Sequence, residues 1–118
     1  MELTGLSEPI VVTDSDLKGS SFNGAAMRDV RFEDAGMQAA RFDHVDLADS
    51  IFSHARLARA RFANVDLAGV HVENVTLAGG TIQNADLSGV SITHCDLSDL
   101  RIDGYLVSDL IAAYRKSV

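Results

Sequence analysis

One cysteine and four histidines are the side chains in this sequence best suited to nucleophilic catalysis or metal binding. Cys95 stands between His94 and Asp96, which together supply the three residue types of a thiol nucleophile, its general base and an orienting carboxylate. Imidazoles are also zinc ligands, but zinc needs three or four donors around one point. The chain therefore holds reactive groups, and their use depends on the elements that carry them.

Charged side chains recur at fixed intervals and are the second candidate for function. The predicted acidic face consists of Asp29, Asp46, Asp49, Asp66 and Asp86. The predicted basic face consists of Arg41, Arg56, Arg59, Arg61 and Arg101. The net charge of −7 argues against nonspecific binding of nucleic acid, which requires cationic side chains to neutralise phosphates. We therefore expect a protein partner and no direct contact with nucleic acid.

A hydrophobic residue occupies every fifth position from Leu17 to Ile102, which makes eighteen pentads in one phase. The residue two positions before each centre is small, with Leu100 as the bulky exception. A period of five fits neither a helix nor a straight strand, so the chain must turn once per pentad. Within a pentad the small residue and the centre point to the same side of a short extended segment. Both are expected to face inward, with Gly, Asn, Asp and His at the corners.

The centres alternate between Leu or Met and Phe, Val or Ile, so like residues stack only if a coil contains an even number of pentads. Two pentads leave no interior, whereas four give a coil of twenty residues, the interval that separates Asp46, Asp66 and Asp86. We predict an all-β solenoid with four sides and about 4.5 coils, stacked at the strand spacing of about 4.8 Å. Its interior should hold aromatic ladders made of Phe22, Phe42 and Phe62, and of Phe32 and Phe52.

This coil separates the reactive groups. Cys95 should point inward as a buried, reduced thiol, while its neighbours point elsewhere. His54 and His94 fall on one corner column two coils apart, at about 10 Å, which is too far for a shared metal ion. An interior filled by Leu and Phe also leaves no substrate pocket. We therefore expect no enzymatic activity, no metal site and no cofactor.

The two ends of the chain depart from the repeat. Residues 1–14 are predicted to form an N-terminal cap or partial first coil, and residues 15–104 form the β-helix. Residues 105–118 are predicted to be a C-terminal capping helix that begins at Ser108 and covers the core over Leu97 and Ile102. Its apolar residues should cap the coil, pair two chains as a homodimer, or do both: Tyr105, Leu106, Leu110, Ile111 and Tyr114.

No targeting or membrane signal is evident in the sequence. The apolar runs are far shorter than the roughly twenty residues that span a bilayer. The N-terminus has no basic region ahead of an apolar stretch. We expect a cytoplasmic protein without membrane association.

Several pentads resemble a known consensus. Val65–Gly69, Ala85–Gly89 and Cys95–Asp99 read VDLAG, ADLSG and CDLSD, and the pattern is similar to that of the pentapeptide-repeat family from about Ser15 to Gly104. The resemblance implies a right-handed quadrilateral β-helix. It also implies two further possibilities, because some members pair through their C-terminal ends and some protect DNA gyrase and topoisomerase IV by mimicking duplex DNA.

Two functions are consistent with these patterns. The first is a noncatalytic interaction module that presents flat, charge-patterned faces to a protein partner. The alternative is a DNA-mimicking modulator of a type II topoisomerase, DNA gyrase or topoisomerase IV. The alternative fits less well, because those relatives are long rods, several with loops that interrupt the coil, whereas here the phase is unbroken and one face is rich in arginine.

Overall fold

The computed structural model describes residues 11–13, 16–24 and 26–117. In these ranges eleven short strands precede one helix, α1, at Val107–Ser117. The strands are β1 Val11–Thr13, β2 Ser21–Asn23, β3 Arg31–Glu33, β4 Arg41–Asp43, β5 Ile51–Ser53, β6 Arg61–Ala63, β7 His71–Glu73, β8 Thr81–Gln83, β9 Ser91–Thr93, β10 Arg101–Ile102 and β11 Tyr105–Leu106.

The strands form two sheets whose members alternate along the chain. One sheet has the order β1-β3-β5-β7-β9, and the other has the order β2-β4-β6-β8-β10 with β11 at its end. Parallel partners are separated by one coil of twenty residues, as in the pair Phe42 and Phe62. Single bridges at the same interval, such as that between Asp46 and Asp66, hold the other two sides. The predicted four-sided β-solenoid is therefore confirmed, with about four turns.

We number the four sides of the coil in chain order from Asp16. The first side contains residues 16–20 and their equivalents in later coils. The second contains residues 21–24 and the equivalent pentads of later coils, with strands β2, β4, β6, β8 and β10. The third contains residues 26–30 and equivalents, and the fourth contains 31–35, with strands β3, β5, β7 and β9. Leu or Met centres lie on the first and third sides, and Phe, Val or Ile centres lie on the second and fourth.

The alternation of centres corresponds to an alternation of backbone structure. Aromatic and β-branched centres occupy the strands of two or three residues, for which these residue types have high propensity. Pentads with a Leu centre instead close a β-turn, in which Ser50 N donates to Leu47 O at 3.0 Å and Asp49 has a φ of 63°. We predicted an extended segment in every pentad, but regular strands form only in every second one.

A positive φ angle occurs at every fifth residue from Gly19 to Gly104, without a break. Most of these corner residues are Gly, Asp, Asn or His, which tolerate the left-handed region. Ala39 and Arg59 are the exceptions, with φ of 59° and 60°. The corners predicted from composition thus have one shared backbone conformation.

The core consists of stacked rings, as predicted. Phe42 lies between Phe22 and Phe62, with ring centroids 4.7 Å from each. Phe32 and Phe52 stack at 4.8 Å and meet the first ladder edge-on. Beyond these ladders aliphatic side chains continue the columns, and a cavity of about 30 Å³ lies where they meet Phe52 and Phe62.

Ser50 is a polar residue that the core buries completely. Its hydroxyl accepts a hydrogen bond from Val30 N at 3.1 Å and donates one to Met27 O at 2.9 Å. These two backbone groups are the ends of a turn in the preceding coil, and the equivalent groups in other Leu pentads bond to each other directly. One hydroxyl therefore links two coils and satisfies both groups.

The predicted C-terminal helix is present, but only its first residue packs against the core. The chain reverses through Asp103 and Gly104, both with positive φ, and β11 pairs antiparallel to β10. Val107 N then donates to Leu100 O at 3.0 Å, and Val107 is buried, but residues 108–116 are exposed. The hairpin of β10 and β11 explains this position of the helix. It directs the chain back along β10, so that α1 packs against β11 and leaves most of the last coil uncovered.

Candidate functional site

The third side of the coil carries the central part of the acidic face. Asp46, Asp66 and Asp86 are successive bridge partners, so their carboxylates form a column with one member in each coil. One oxygen of each accepts a hydrogen bond from the backbone two residues ahead, at 3.1, 2.9 and 2.9 Å. These contacts are Asx turns, which fix the carboxylates against the backbone.

The sequence contained a signal for these contacts that we did not use. Aspartate precedes the Leu centre repeatedly, and on the first side Asp16 and Asp96 accept from the backbone in the same way. Thr76 uses its hydroxyl oxygen for the same purpose, at 3.4 Å from Ala78 N. The Asp-Leu pair is therefore a turn-forming unit as well as a source of charge.

Two aspartates make an additional contact to serine. The Ser88 hydroxyl donates to Asp86 at 2.6 Å, and the Ser98 hydroxyl donates to Asp96 at the same distance. These side-chain hydrogen bonds, followed by the backbone bond from the same serine, lower the pKa of each aspartate below 3.8. Hydrogen bonds that favour the ionised form outweigh the opposing effect of desolvation.

A cation interrupts one end of the acidic face. Arg28 lies 3.9 Å from Asp46 and 3.8 Å from Asp49, with all three side chains substantially exposed. Asp29 and Asp49 occupy one corner column, with φ of 62° and 63°. The structure therefore brings the predicted acidic residues to the third side and its following corner, but neutralises part of that surface.

The predicted basic face is divided among different sides. Arg41 and Arg61 are register partners on the second side, but Thr81 separates them from Arg101. The Arg101 guanidinium donates to Gly104 O at 2.9 Å. The other two predicted members lie elsewhere, with Arg56 over Gly36 on the first side and Arg59 at a corner. Only the pair Arg41 and Arg61 remains as a continuous basic surface.

The cysteine and histidines do not converge. Cys95 Sγ lies 3.1 Å from Thr93 O, and His94 is an exposed corner residue with a φ of 52°. Cys95 is half-buried rather than fully buried as predicted, because it lies in the uncovered last coil. Within the described ranges no group of three or more His, Cys, Asp or Glu side chains is arranged to hold a metal ion.

Comparison with known proteins agrees with the five-residue repeat. A family model described as pentapeptide repeats matches residues 40–79 as eight copies. Residues 40–79 therefore consist of pentapeptide repeats. No curated protein sequence matches it.

Solved structures similar to this chain share low sequence identity with it. A pentapeptide repeat protein from the cyanobacterium Cyanothece 51142 is 15% identical over 86% of this chain and 88% of its own, with a TM-score of 0.47. One from the Arabidopsis thaliana thylakoid lumen is 24% identical over 86% and 75%, with a TM-score of 0.49. QnrB1, a plasmid-mediated fluoroquinolone resistance protein, is 12% identical over 99% and 97%, with a TM-score of 0.32.

The C-terminal end of the chain exposes apolar surface. Tyr105 and Tyr114 are each 67% exposed, Leu110 47% and Ile111 39%, whereas Leu106 is half-buried. The last coil adds Ile92, 36% exposed, and further half-buried apolar side chains, namely Leu87, Val90 and Leu97. In the part of the chain that the structure describes, no helix has the length and apolarity to cross a membrane.

Proposed function

We propose that this pentapeptide-repeat protein is a noncatalytic interaction module whose acidic face binds a basic surface on a protein partner. The observation that carries the proposal is the set of Asx turns at Asp46, Asp66 and Asp86. Because backbone groups already fix these carboxylates, little conformational entropy remains to be lost when a partner binds. The stacked coils supply a rigid support for them.

The proposal is tested by capture of partners from an extract of the native cell. The test variant carries Asp46→Asn, Asp66→Asn and Asp86→Asn, because asparagine keeps the oxygen that accepts the backbone hydrogen bond and removes the charge. The control carries Asp34→Asn, Asp99→Asn and Asp109→Asn, which change the net charge equally on exposed residues elsewhere. We expect the test variant to lose partners that the native protein and the control retain. Equal capture by all three proteins would reject the acidic face as the binding surface.

We also propose that the C-terminal end pairs two chains as a homodimer. Exposed apolar side chains on α1 lie at the same end as the uncovered last coil, and removal of such surface from water favours association. Light scattering should give the mass of a dimer for the native chain and of a monomer for Leu110→Glu with Ile111→Glu. Arg115→Glu, an exposed charge change on the same helix, is the control. These substitutions are preferable to truncation at Gly104, which would remove Val107 from the core. A native monomer would end the proposal.

A second candidate function is modulation of DNA gyrase or topoisomerase IV by mimicry of DNA. The acidic face favours it, since carboxylates in a regular column resemble a row of phosphates. Two features weigh against it. Along the helix axis each DNA strand has one phosphate per about 3.4 Å, whereas the carboxylates rise about 4.8 Å per coil, and Arg28 interrupts the column. A gyrase supercoiling assay, with and without a fluoroquinolone, should show inhibition or protection that the Asp46, Asp66 and Asp86 triple variant lacks. No effect at micromolar protein would exclude this function.

A further inference from the structure

A shallow trough of about 340 Å³ runs along the second side near its N-terminal end. Its lining includes Arg41 and Arg61, which precede the buried centres of their strands, and Asn23 and Asp43, which follow the centres of theirs. Because residues on either side of an inward-facing centre point outward, these side chains stand in two parallel rows. The trough is the groove between a row that contains two arginines and a row of polar or small residues.

Arg41 and Arg61 are adjacent cations whose guanidinium groups form no ion pair with a carboxylate in the described residues. Register pairing places them on neighbouring strands, and the rings behind them stack at 4.7 Å. Both side chains are exposed, and neither has a hydrogen bond or ion pair there. By contrast, Arg28 and Arg31 contact carboxylates and Arg101 contacts a carbonyl. Like charges directly opposite each other on adjacent strands are destabilising, so an anion between them would relieve this repulsion.

The acidic residue in the trough is already engaged by other groups. Asp43 accepts a hydrogen bond from Asn64 Nδ2 at 3.2 Å and contacts His44 Nδ1 at 2.9 Å. Asn84 continues this polar column by donating to Asn64 Oδ1 at 2.7 Å. Asp43 is therefore directed towards the corner of the coil and has no ion pair with either arginine.

We propose that Arg41 and Arg61 form a binding site for a dianionic oxyanion group, either a phosphate monoester or a pair of carboxylates. Guanidinium groups present planar forks that match both kinds of oxyanion, and two of them balance a charge of −2. The hydroxyl of Ser21, which also lines the trough, is a further donor for the ligand. This site is separate from the proposed acidic interaction face, so a negative result here leaves that proposal unaffected.

The test is a titration of the full chain with inorganic phosphate, followed by NMR of backbone amides. A second arm uses succinate, and a third uses sodium chloride at matched ionic strength. We expect saturable shifts centred on β4 and β6 with a dissociation constant on the order of 1 mM, as befits a solvent-exposed site. Saturation with only one of the two anions would identify it as the ligand class, and saturation with both would show that the site recognises either.

Variants distinguish the site from general attraction of anions. Arg41→Ala and Arg61→Ala should each weaken binding about tenfold, the loss expected for one hydrogen bond to a charged group. Arg101→Ala, on the same side but bonded to Gly104 O, should leave affinity unchanged. Arg41→Gln serves as a second variant if the alanine protein folds poorly. The proposal is overturned by shifts that follow sodium chloride equally, that do not saturate, or that persist in both arginine variants.

Discussion

Gly80 lies directly beneath Leu100, and the absence of a side chain at one position makes room for the bulk at the other. A Cβ atom at Gly80 would lie 3.3 Å from Leu100 Cδ1. Leu100 is only 1% exposed although it occupies a position that is small in every other pentad. The pair therefore fills one side of the interior where the repeat ends, and Val107 N donates to Leu100 O there.

Gly80→Ala should destabilise the fold by about 1–3 kcal/mol, the usual cost of overpacking a core. Ala60 occupies the equivalent position one coil earlier, so the coil itself accepts a Cβ there. The free energy of unfolding from urea denaturation measures the cost. In a Leu100→Ala background the same substitution should cost at least about 0.5 kcal/mol less, because the contact is gone. An equal cost in both backgrounds would instead show that the added Cβ clashes with the nearby carbonyl oxygens of Leu77 and Ala60.

Asp66→Ala should destabilise the protein by about 1 kcal/mol, because Ala68 N loses its side-chain acceptor at 2.9 Å. Asp66→Asn should remain within about 0.5 kcal/mol of the native protein, since the accepting oxygen is kept. Urea denaturation of the two variants compares them directly. Equal stability of the alanine and asparagine proteins would show that the Asx turn does not stabilise the fold and that only the charge of Asp66 affects stability.

The Asp86 carboxyl group should titrate with a pKa below its ordinary value of 3.8 in the folded protein. Because the folded pKa is lower than the unfolded one, the contribution to stability is present above pH 3.8 and is lost as the pH falls through the folded pKa. An NMR titration of the carboxyl carbon gives the midpoint. Ser88→Ala should move the midpoint of Asp86 towards 3.8 and leave that of Asp96, which bonds to Ser98, unchanged. No movement would exclude the hydroxyl as the main cause.

Ala39→Gly should stabilise the fold by about 0.5–1 kcal/mol. Alanine at a φ of 59° is strained, and glycine removes a strain larger than its own entropic cost. Gly19 and Gly79 already occupy equivalent corners in other coils. Ala58→Gly, at a position without positive φ, should destabilise by about 0.5–1 kcal/mol and is the control. Thermal denaturation that showed both variants to be destabilised would contradict the assigned corner strain.

Much of the fold followed from the pentads alone. Period five specified the corners, the alternation of centres specified four sides, and the spacing of Phe22, Phe42 and Phe62 specified their ladder. These features repeat, and each coil contacts chiefly its neighbours, so a local pattern copied along the chain determines them. The same spacing also placed Asp46, Asp66 and Asp86 in one column.

Features that do not repeat were decided by tertiary contacts. Ser50 could be assigned to the interior from its position, but its link to Met27 and Val30 depends on where a neighbouring coil places its backbone. The packing of α1 depends on the reversal of the chain at Gly104, which has no counterpart in the pentads. The periodicity of the residues determined the scaffold because every coil poses the same packing problem. Which charges remain unpaired, and which apolar surface remains open, was decided by single contacts between coils and at the end of the rod.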